Sequence, residues 1–401
     1  MINALALIFH QLIANVQLGR YRFLFNQFHL KDRLTGLVGP RGVGKTTLML
    51  QYIKKNFALQ EVFYVSADHI YLTQITLYDL VVTLYQTKNI KIFFIDEIHQ
   101  YANWSQELKN LYDAFPDIRI VFSGSSSLAL MEGSHDLSRR AAWFSLPGMS
   151  FREYLNFQSN TDWQPISFPE LMLHPQQLDG IFTGTPKLKG HFQEYLRNGF
   201  YPFYYEQPLS YHEKLLAVID KSIFEDIADF YHLKTPSLAI HRKLLAFLAT
   251  IPPGQSNTHN LARHLAIDDK TLLNFLNHLA MTGLVTLIFV ADRGNAVLRR
   301  PEKIFLNNTN LQYALEGKIQ GDVEIGAVRE LFFIQSLKSA GIDLHYSEQA
   351  DYTALEYLFE VGGKNKTTRQ IKGVKKSFLV KDDVWVSSQR EIPLFYFGFI
   401  Y

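Results

Sequence analysis

The sequence predicts an α/β fold, a parallel sheet with helices on both faces, followed by an α+β module and a small α/β domain. Three observations carry that prediction. A glycine-rich loop, Gly39 to Thr46, lies between an apolar run and a helical stretch. Four short apolar segments alternate with helical stretches through the N-terminal third of the chain. The 401 residues, 47% hydrophobic and 19% charged, are enough to bury substantial cores in two or three domains.

Ile2 to Val16 is the first element, an amphipathic helix expected to pack on the N-terminal body. Asn3, His10, Gln11 and Asn15 interrupt its apolar run, so it is too polar to span a bilayer, and it lacks the basic start of a secretory signal. Leu34 to Val38 reads as a buried strand leading into Gly39, Pro40, Arg41, Gly42, Val43, Gly44, Lys45 and Thr46. Glycines let successive backbone N–H groups curl inward, and the helix that opens near Thr46 and Thr47 points its N-terminus at the same place, which makes a phosphate cradle. Lys45 is placed to reach the β- and γ-phosphates of a triphosphate, Thr46 to hold Mg²⁺ through its hydroxyl, and Arg41 to lean on phosphate.

Glu61 to Val65, Lys91 to Ile95 and Ile118 to Phe122 are the other three strands, separated by helices over Thr47 to Asn56, Leu77 to Gln86 and Trp104 to Ala114. The third strand ends in two carboxylates. Asp96 is expected to bind Mg²⁺ through water, and Glu97 to take a proton from the attacking water in phosphoryl transfer. His99 reads as a satisfied surface residue. The last strand leads into Ser123 and the small residues to Ser127, whose hydroxyls are expected on the γ-phosphate side of the site before a helix at Leu128 to Glu132.

The chain has no cysteine, which excludes disulfides, thiol catalysis and Cys-ligated zinc, and the expected location is the cytoplasm. A net charge of +2 announces no nucleic-acid binder in bulk. Prolines between Tyr154 and Lys189 break the periodicity, as in a lid or linker. From Ala239 to Asn308 a helix (His241 to Thr250), a short helix (Thr258 to Leu265), a longer helix (Asp269 to Thr282) and two strands (around Val285 to Val290 and Val297 to Phe305) give a winged-helix layout. Leu272, Phe275, Leu276 and Leu279 face its core, leaving Lys270, Asn274, Asn277 and His278 outside, with Arg293 on a hairpin. DNA or a protein partner is the expected contact.

In order, GPRGVGKTT, FFIDEIHQYANWSQELKNLYD, VFSGSSSLAL and DLSRRAAWFSLPGMSFREYL resemble one group of bacterial and archaeal AAA-type P-loop NTPases. Members of that group carry a C-terminal region similar to the restriction-endonuclease-like superfamily, and GFYPFYY and LFEVGGKNKTTRQIKG are similar to it here. The resemblance implies ATP binding and hydrolysis through Lys45, Thr46, Asp96 and Glu97. It also implies that Arg139 or Arg140 completes a neighbour's site, which requires a homo-oligomer. The implied domains are an ATPase domain (1–155), a helical lid or linker (156–238), a winged-helix-like domain (239–315) and a nuclease-like domain (316–401).

A nuclease of that type needs a helical Glu, then an Asp and a Glu-x-Lys on adjacent strands. Glu330, Asp351, Glu360 and Lys364 are the matching residues, but Lys364 lies about 13 Å beyond Glu360 in an extended strand, so the site is expected to be vestigial. Lys364, Lys366, Arg369, Lys372, Lys375 and Lys376 form a basic run suited to a phosphate backbone, and Phe395 to Tyr401 reads as a buried last strand. The combined expectation is an ATP- and Mg²⁺-dependent ATPase whose C-terminal modules act on DNA or a protein. Its rivals are an ATP-gated, metal-dependent DNA nuclease and a slow nucleotide-loaded switch.

Overall fold

Strands β1 (Leu34–Val38), β2 (Val62–Ser66), β3 (Ile92–Asp96), β4 (Arg119–Gly124) and β5 (Ala141–Ser145) form an all-parallel sheet in the order β2-β3-β4-β1-β5. They belong to the first of two units in this computed structural model, Met1–Pro147, the second being Gly148–Tyr401. The structure describes residues 1–124, 137, 139–159, 161–183, 185–251, 258–291, 300–319, 323–367, 371 and 373–401. Ser125 to Ser127, the helix expected at Leu128 to Glu132, Arg293 and its hairpin, Arg369 and Lys372 lie outside those residues.

The apolar runs became strands because both faces are covered. Val62 to Val65, Phe93 to Ile95 and Ile120 to Phe122 are all buried. Helices α1 (Ile2–Asn15), α2 (Lys45–Asn56), α3 (Leu77–Lys88) and α4 (Trp104–Ala114) belong to the same unit. Leu5, Phe9 and Ile13, four residues apart, form the buried stripe of α1, and Phe9 meets Phe63 and Tyr64 of β2. Thr76 caps α3 by accepting from the Asp79 backbone N–H at 3.0 Å. Strand β5 was not anticipated. As an edge strand it keeps one side open, so Ala141–Ser145 lacks the continuous apolar signature of its neighbours.

In the second unit, helices Thr235–Thr250, Thr258–His264 and Asp269–Met281 precede an antiparallel pair, β6 (Val285–Ile288) and β7 (Lys303–Leu306). A five-stranded sheet follows in the order β12-β11-β10-β9-β8, built from Leu344–Tyr346 (β8), Tyr352–Ala354 (β9), Tyr357–Gly362 (β10), Ser377–Lys381 (β11) and Glu391–Pro393 (β12). Helix Ile325–Ser339 lays Phe333 on Tyr352, Phe359 and Phe397. Residues of the stretch expected as a lid or linker pack within this unit. Phe168 packs on Tyr357 and Phe359, and Asp179 accepts from Ser387 N at 2.9 Å and Tyr396 Oη at 2.5 Å.

The aromatic C-terminus corrects one expectation. Its side chains are buried, but Leu394–Phe399 is a 3₁₀ helix rather than a last strand. An apolar run buried all round has no period-2 face to tell the two apart. Among the described residues no helix is long and apolar enough to cross a membrane.

Candidate nucleotide site

The loop leaves β1 at Val38 and enters α2 at Lys45, at the C-terminal edge of the sheet. Gly44 takes φ 94° as it caps α2, a left-handed conformation that a β-carbon resists, and Gly42 takes φ 81°. Gly39 answers a different need, since a Cβ there would meet the Leu146 carbonyl oxygen at 2.1 Å. Lys45 is buried, and its ammonium donates to the carbonyls of Gly39 (2.8 Å) and Pro40 (3.1 Å). Val43 is fully buried, Arg41 and Thr46 are half-buried, and Thr47 is exposed.

Asp96 is the hub. Its residue exposure is 2%, and four donors converge on its carboxylate. Thr46 Oγ1 and Tyr64 Oη donate to Oδ2, the second at 2.9 Å, while Ser123 Oγ and the Glu97 backbone N–H donate to Oδ1, the latter at 3.0 Å. Adjacent strand ends bring these groups together, because β3 neighbours both β2 and β4, and β4 neighbours β1. Ser123, expected on the γ-phosphate side, spends its hydroxyl on Asp96.

Glu97 sits at φ 48°, a left-handed position that costs a non-glycine residue about 1 kcal/mol or more. Its Oε2 lies 3.4 Å from His99 Nδ1, and the His99 side chain is 4% exposed, so that histidine is not the surface residue expected. Arg139 and Arg140 precede β5, whose first residue pairs with Leu34, whereas Ser145 pairs with Val38 beside the loop. Both arginines therefore stand at the edge of the sheet away from the loop. Arg140 is paired with Asp113 at 3.4 Å and lies over the Tyr112 ring, whereas Arg139 is exposed.

Two residues of this site escaped the sequence reading. Arg22 is buried and donates through Nη1 to the Val43 carbonyl and through Nη2 to the Pro147 carbonyl at 2.7 Å, holding the loop from behind. Tyr64 is the other. Burial first, then the Asp96 charge and hydrogen bond, push its phenol pKa well up, which keeps the proton on Oη. An arginine in a run of aromatics was the available sign for Arg22, while Tyr64 looked like any strand aromatic.

The second unit gathers Glu330, Asp351 and Glu360, but the lysine differs from the expected one. Lys364 is exposed. Lys366 instead reaches Glu360 at 2.6 Å and Asp351 at 3.8 Å. Its stem lies across Gly362, where a Cβ would come within 2.7 Å of it. Lys303 of β7 enters from the other side, 2.9 Å from Glu330 and 3.9 Å from Asp351. Burial pushes the Glu360 carboxyl up despite Lys366, and the carboxylates raise Lys366 against the pull of burial. Two ammonium groups thus stand among three carboxylates. Among the described residues no group of three His, Cys, Asp or Glu side chains is placed so that it could hold a metal ion. On the outer stripe, Lys270, Asn274 and Asn277 are exposed as expected. His278 is not on it, being half-buried and stacked 3.7 Å from the Tyr231 ring.

A parallel sheet with a glycine loop at its C-terminal edge, a lysine in that loop and a hydroxyl-to-aspartate contact beside it define a P-loop nucleotide-binding domain. The AAA domain family matches residues 31–155. The chain belongs to a family of AAA-domain P-loop ATPases that includes the uncharacterized protein MJ1637 of Methanocaldococcus jannaschii, with 30% identity over 374 residues covering 85% of this chain and 78% of the relative. The Walker-type ATPase PABY2304 of Pyrococcus abyssi is similar over 71% of this chain and 91% of its own, at 13% identity and a TM-score of 0.45. AMPPCP-bound DnaA from Aquifex aeolicus is similar over 64% and 84%, at 14% identity and a TM-score of 0.27.

Proposed function

We propose that the first unit binds Mg²⁺-ATP and hydrolyses it, and that the second unit carries the result to DNA or a protein partner. The observation that carries the reading is the Asp96 hub, where Thr46, on the helix that the loop opens, meets the carboxylate at the end of β3. Donor chemistry fits the ion, since a hydroxyl and a carboxylate oxygen are hard ligands of the kind Mg²⁺ takes. Bound Mg²⁺ supplies charge neutralisation to the transferring phosphoryl group. Residues 39–47 hold the phosphates through backbone N–H groups, and Lys45 exchanges the carbonyls of Gly39 and Pro40 for phosphate oxygens. Glu97 accepts the proton of the attacking water. Ser123 fixes Asp96, and Arg139 reaches a neighbouring copy better than Arg140, which Asp113 already engages.

In the second unit, the helices before β6 and β7 suit a winged-helix-like module and residues 316–401 a nuclease-like scaffold, both as contact surfaces. Lys366 stands on Glu360 and Asp351 where metal-dependent DNA cutting needs a lysine, whereas Lys303, paired with Glu330 and close to Asp351, is a second cation that competes with a metal ion, so cutting is kept as the rival reading. The test uses the purified chain. Wild type should turn over ATP with Mg²⁺, and Glu97→Gln should bind ATP with undiminished affinity while turnover falls about 100-fold or more. Plasmid DNA with Mg²⁺ or Mn²⁺ should stay intact. Absence of ATP binding by the wild type would overturn the reading.

A further inference from the structure

We propose that Tyr64 is a positioning residue for the magnesium-binding aspartate, and that helix α1 holds it in place. This deepens the ATPase reading and rests on it.

Asp96 offers two oxygens, each with two donors. Ser123 and the Glu97 amide fix Oδ1 from the β4 side and from the next peptide. On Oδ2 the case is different. Thr46 is one donor there, and its hydroxyl is also the group that must turn toward Mg²⁺. When it does, Tyr64 at 2.9 Å is the remaining fixed donor on that oxygen. A carboxylate buried to 2% exposure cannot borrow a donor from bulk water. Tyr64 therefore sets the plane of the carboxylate while Thr46 changes partner, as outer hydrogen bonds orient metal ligands elsewhere.

The phenol is suited to that task because it is enclosed. Tyr64 is 4% exposed on β2. The Phe9 ring of α1 stacks on it at 6.2 Å and 26°. The segment after α1 is tied to α2, since Gln51 donates to the Gln17 carbonyl at 2.8 Å and Lys54 to the Val16 carbonyl at 2.8 Å. Helix α2 begins at Lys45, so a chain of contacts runs from the loop through α1 to the hydroxyl that meets Asp96.

The experiment compares the full chain with Tyr64→Phe, which keeps the ring and deletes the donor. A fluorescent ATP analogue reports binding as Mg²⁺ is titrated, and turnover is read in parallel. Nucleotide affinity without Mg²⁺ should stay within about two-fold, while the Mg²⁺ needed for half-maximal binding and turnover rises about ten-fold. Turnover at saturating Mg²⁺ should recover to within about two-fold. A merely structural role would lower the melting temperature and leave the Mg²⁺ requirement unchanged, and that result overturns the inference while sparing the ATPase reading. Failure of the wild type to bind nucleotide overturns both. Should Tyr64→Phe not fold, Phe9→Leu is read in the same way, with a rise of about three-fold expected and an unchanged requirement refuting the inference.

Discussion

Replacing Lys366 by methionine removes the ion-pair partner of a buried carboxylate. The Glu360 side chain is 1% exposed and Lys366 34% exposed, at 2.6 Å. Removing one partner of a fully buried pair costs about 3–5 kcal/mol, and solvent reaching Lys366 reduces that to about 2–3 kcal/mol. Chemistry sets a ceiling as well. Glu360 can escape its loss by taking a proton, and from an ordinary value of 4.5 that costs about 3.4 kcal/mol at pH 7 but only about 0.7 kcal/mol at pH 5. The variant's carboxyl then titrates above its unfolded value, so its stability falls as pH rises, and the deficit against wild type should be about 2–3 kcal/mol at pH 7 and under about 1 kcal/mol at pH 5. Denaturant melts of the full chain at both pH values, following the transition of the second unit, read this directly. The double variant Glu360→Gln with Lys366→Met should regain most of the loss. A deficit that does not change with pH, or a double variant no better than Lys366→Met, refutes the reasoning.

Three further outcomes are expected. His241 gives Nδ1–H to the Ser237 carbonyl at 2.8 Å and takes a proton bond from His278 Nδ1 at 3.0 Å, and burial, then His241, pushes His278 down to about 4. Burial holds His241 down as well, so stability of the second unit should drain away as pH falls from about 6.5 toward 4, by about 1–2 kcal/mol after screening, and His278→Phe should weaken that dependence in thermal melts. Gly39→Ala drives a methyl onto the Leu146 carbonyl, so ATP affinity in a calorimetric titration should fall at least about ten-fold, with the far-ultraviolet circular dichroism unchanged. Arg139→Ala should cut ATP turnover about 100-fold or more if it acts in a neighbour's site, while Arg140→Ala, which loses a half-exposed ion pair with Asp113, should change stability by under about 1 kcal/mol and turnover little.

The first unit was legible because its signals are local. A buried strand needs an apolar run, a phosphate cradle needs glycines next to a lysine and a hydroxyl, and each requirement is met within a few consecutive residues, as in Leu34 to Thr46. Helix α4 occupies Trp104–Ala114, the bounds read from its apolar period. Strand β5 escaped because an edge strand buries too little to leave a pattern. What the linear pattern could not carry were contacts made by residues far apart in the chain. Tyr64 reaches Asp96 across 32 positions, and Lys303 reaches Glu330 across 27.

Lys366 shows why spacing along a strand is a weak ruler for chemistry. Counting outward from Glu360 assumes an extended chain, on which Lys364 falls about 13 Å away and Lys366 farther still. The strand ends at Gly362, however, and the chain turns so that the Lys366 N–H donates to the Gly363 carbonyl at 2.9 Å. Because Gly362 has no side chain, the lysine stem folds back over it and the ammonium returns to Glu360. Gly362 and Gly363 thus decide which lysine meets the carboxylates. With Lys303 arriving from β7, three carboxylates face two ammonium ions in one cluster, an arrangement that no count along a single strand could have given.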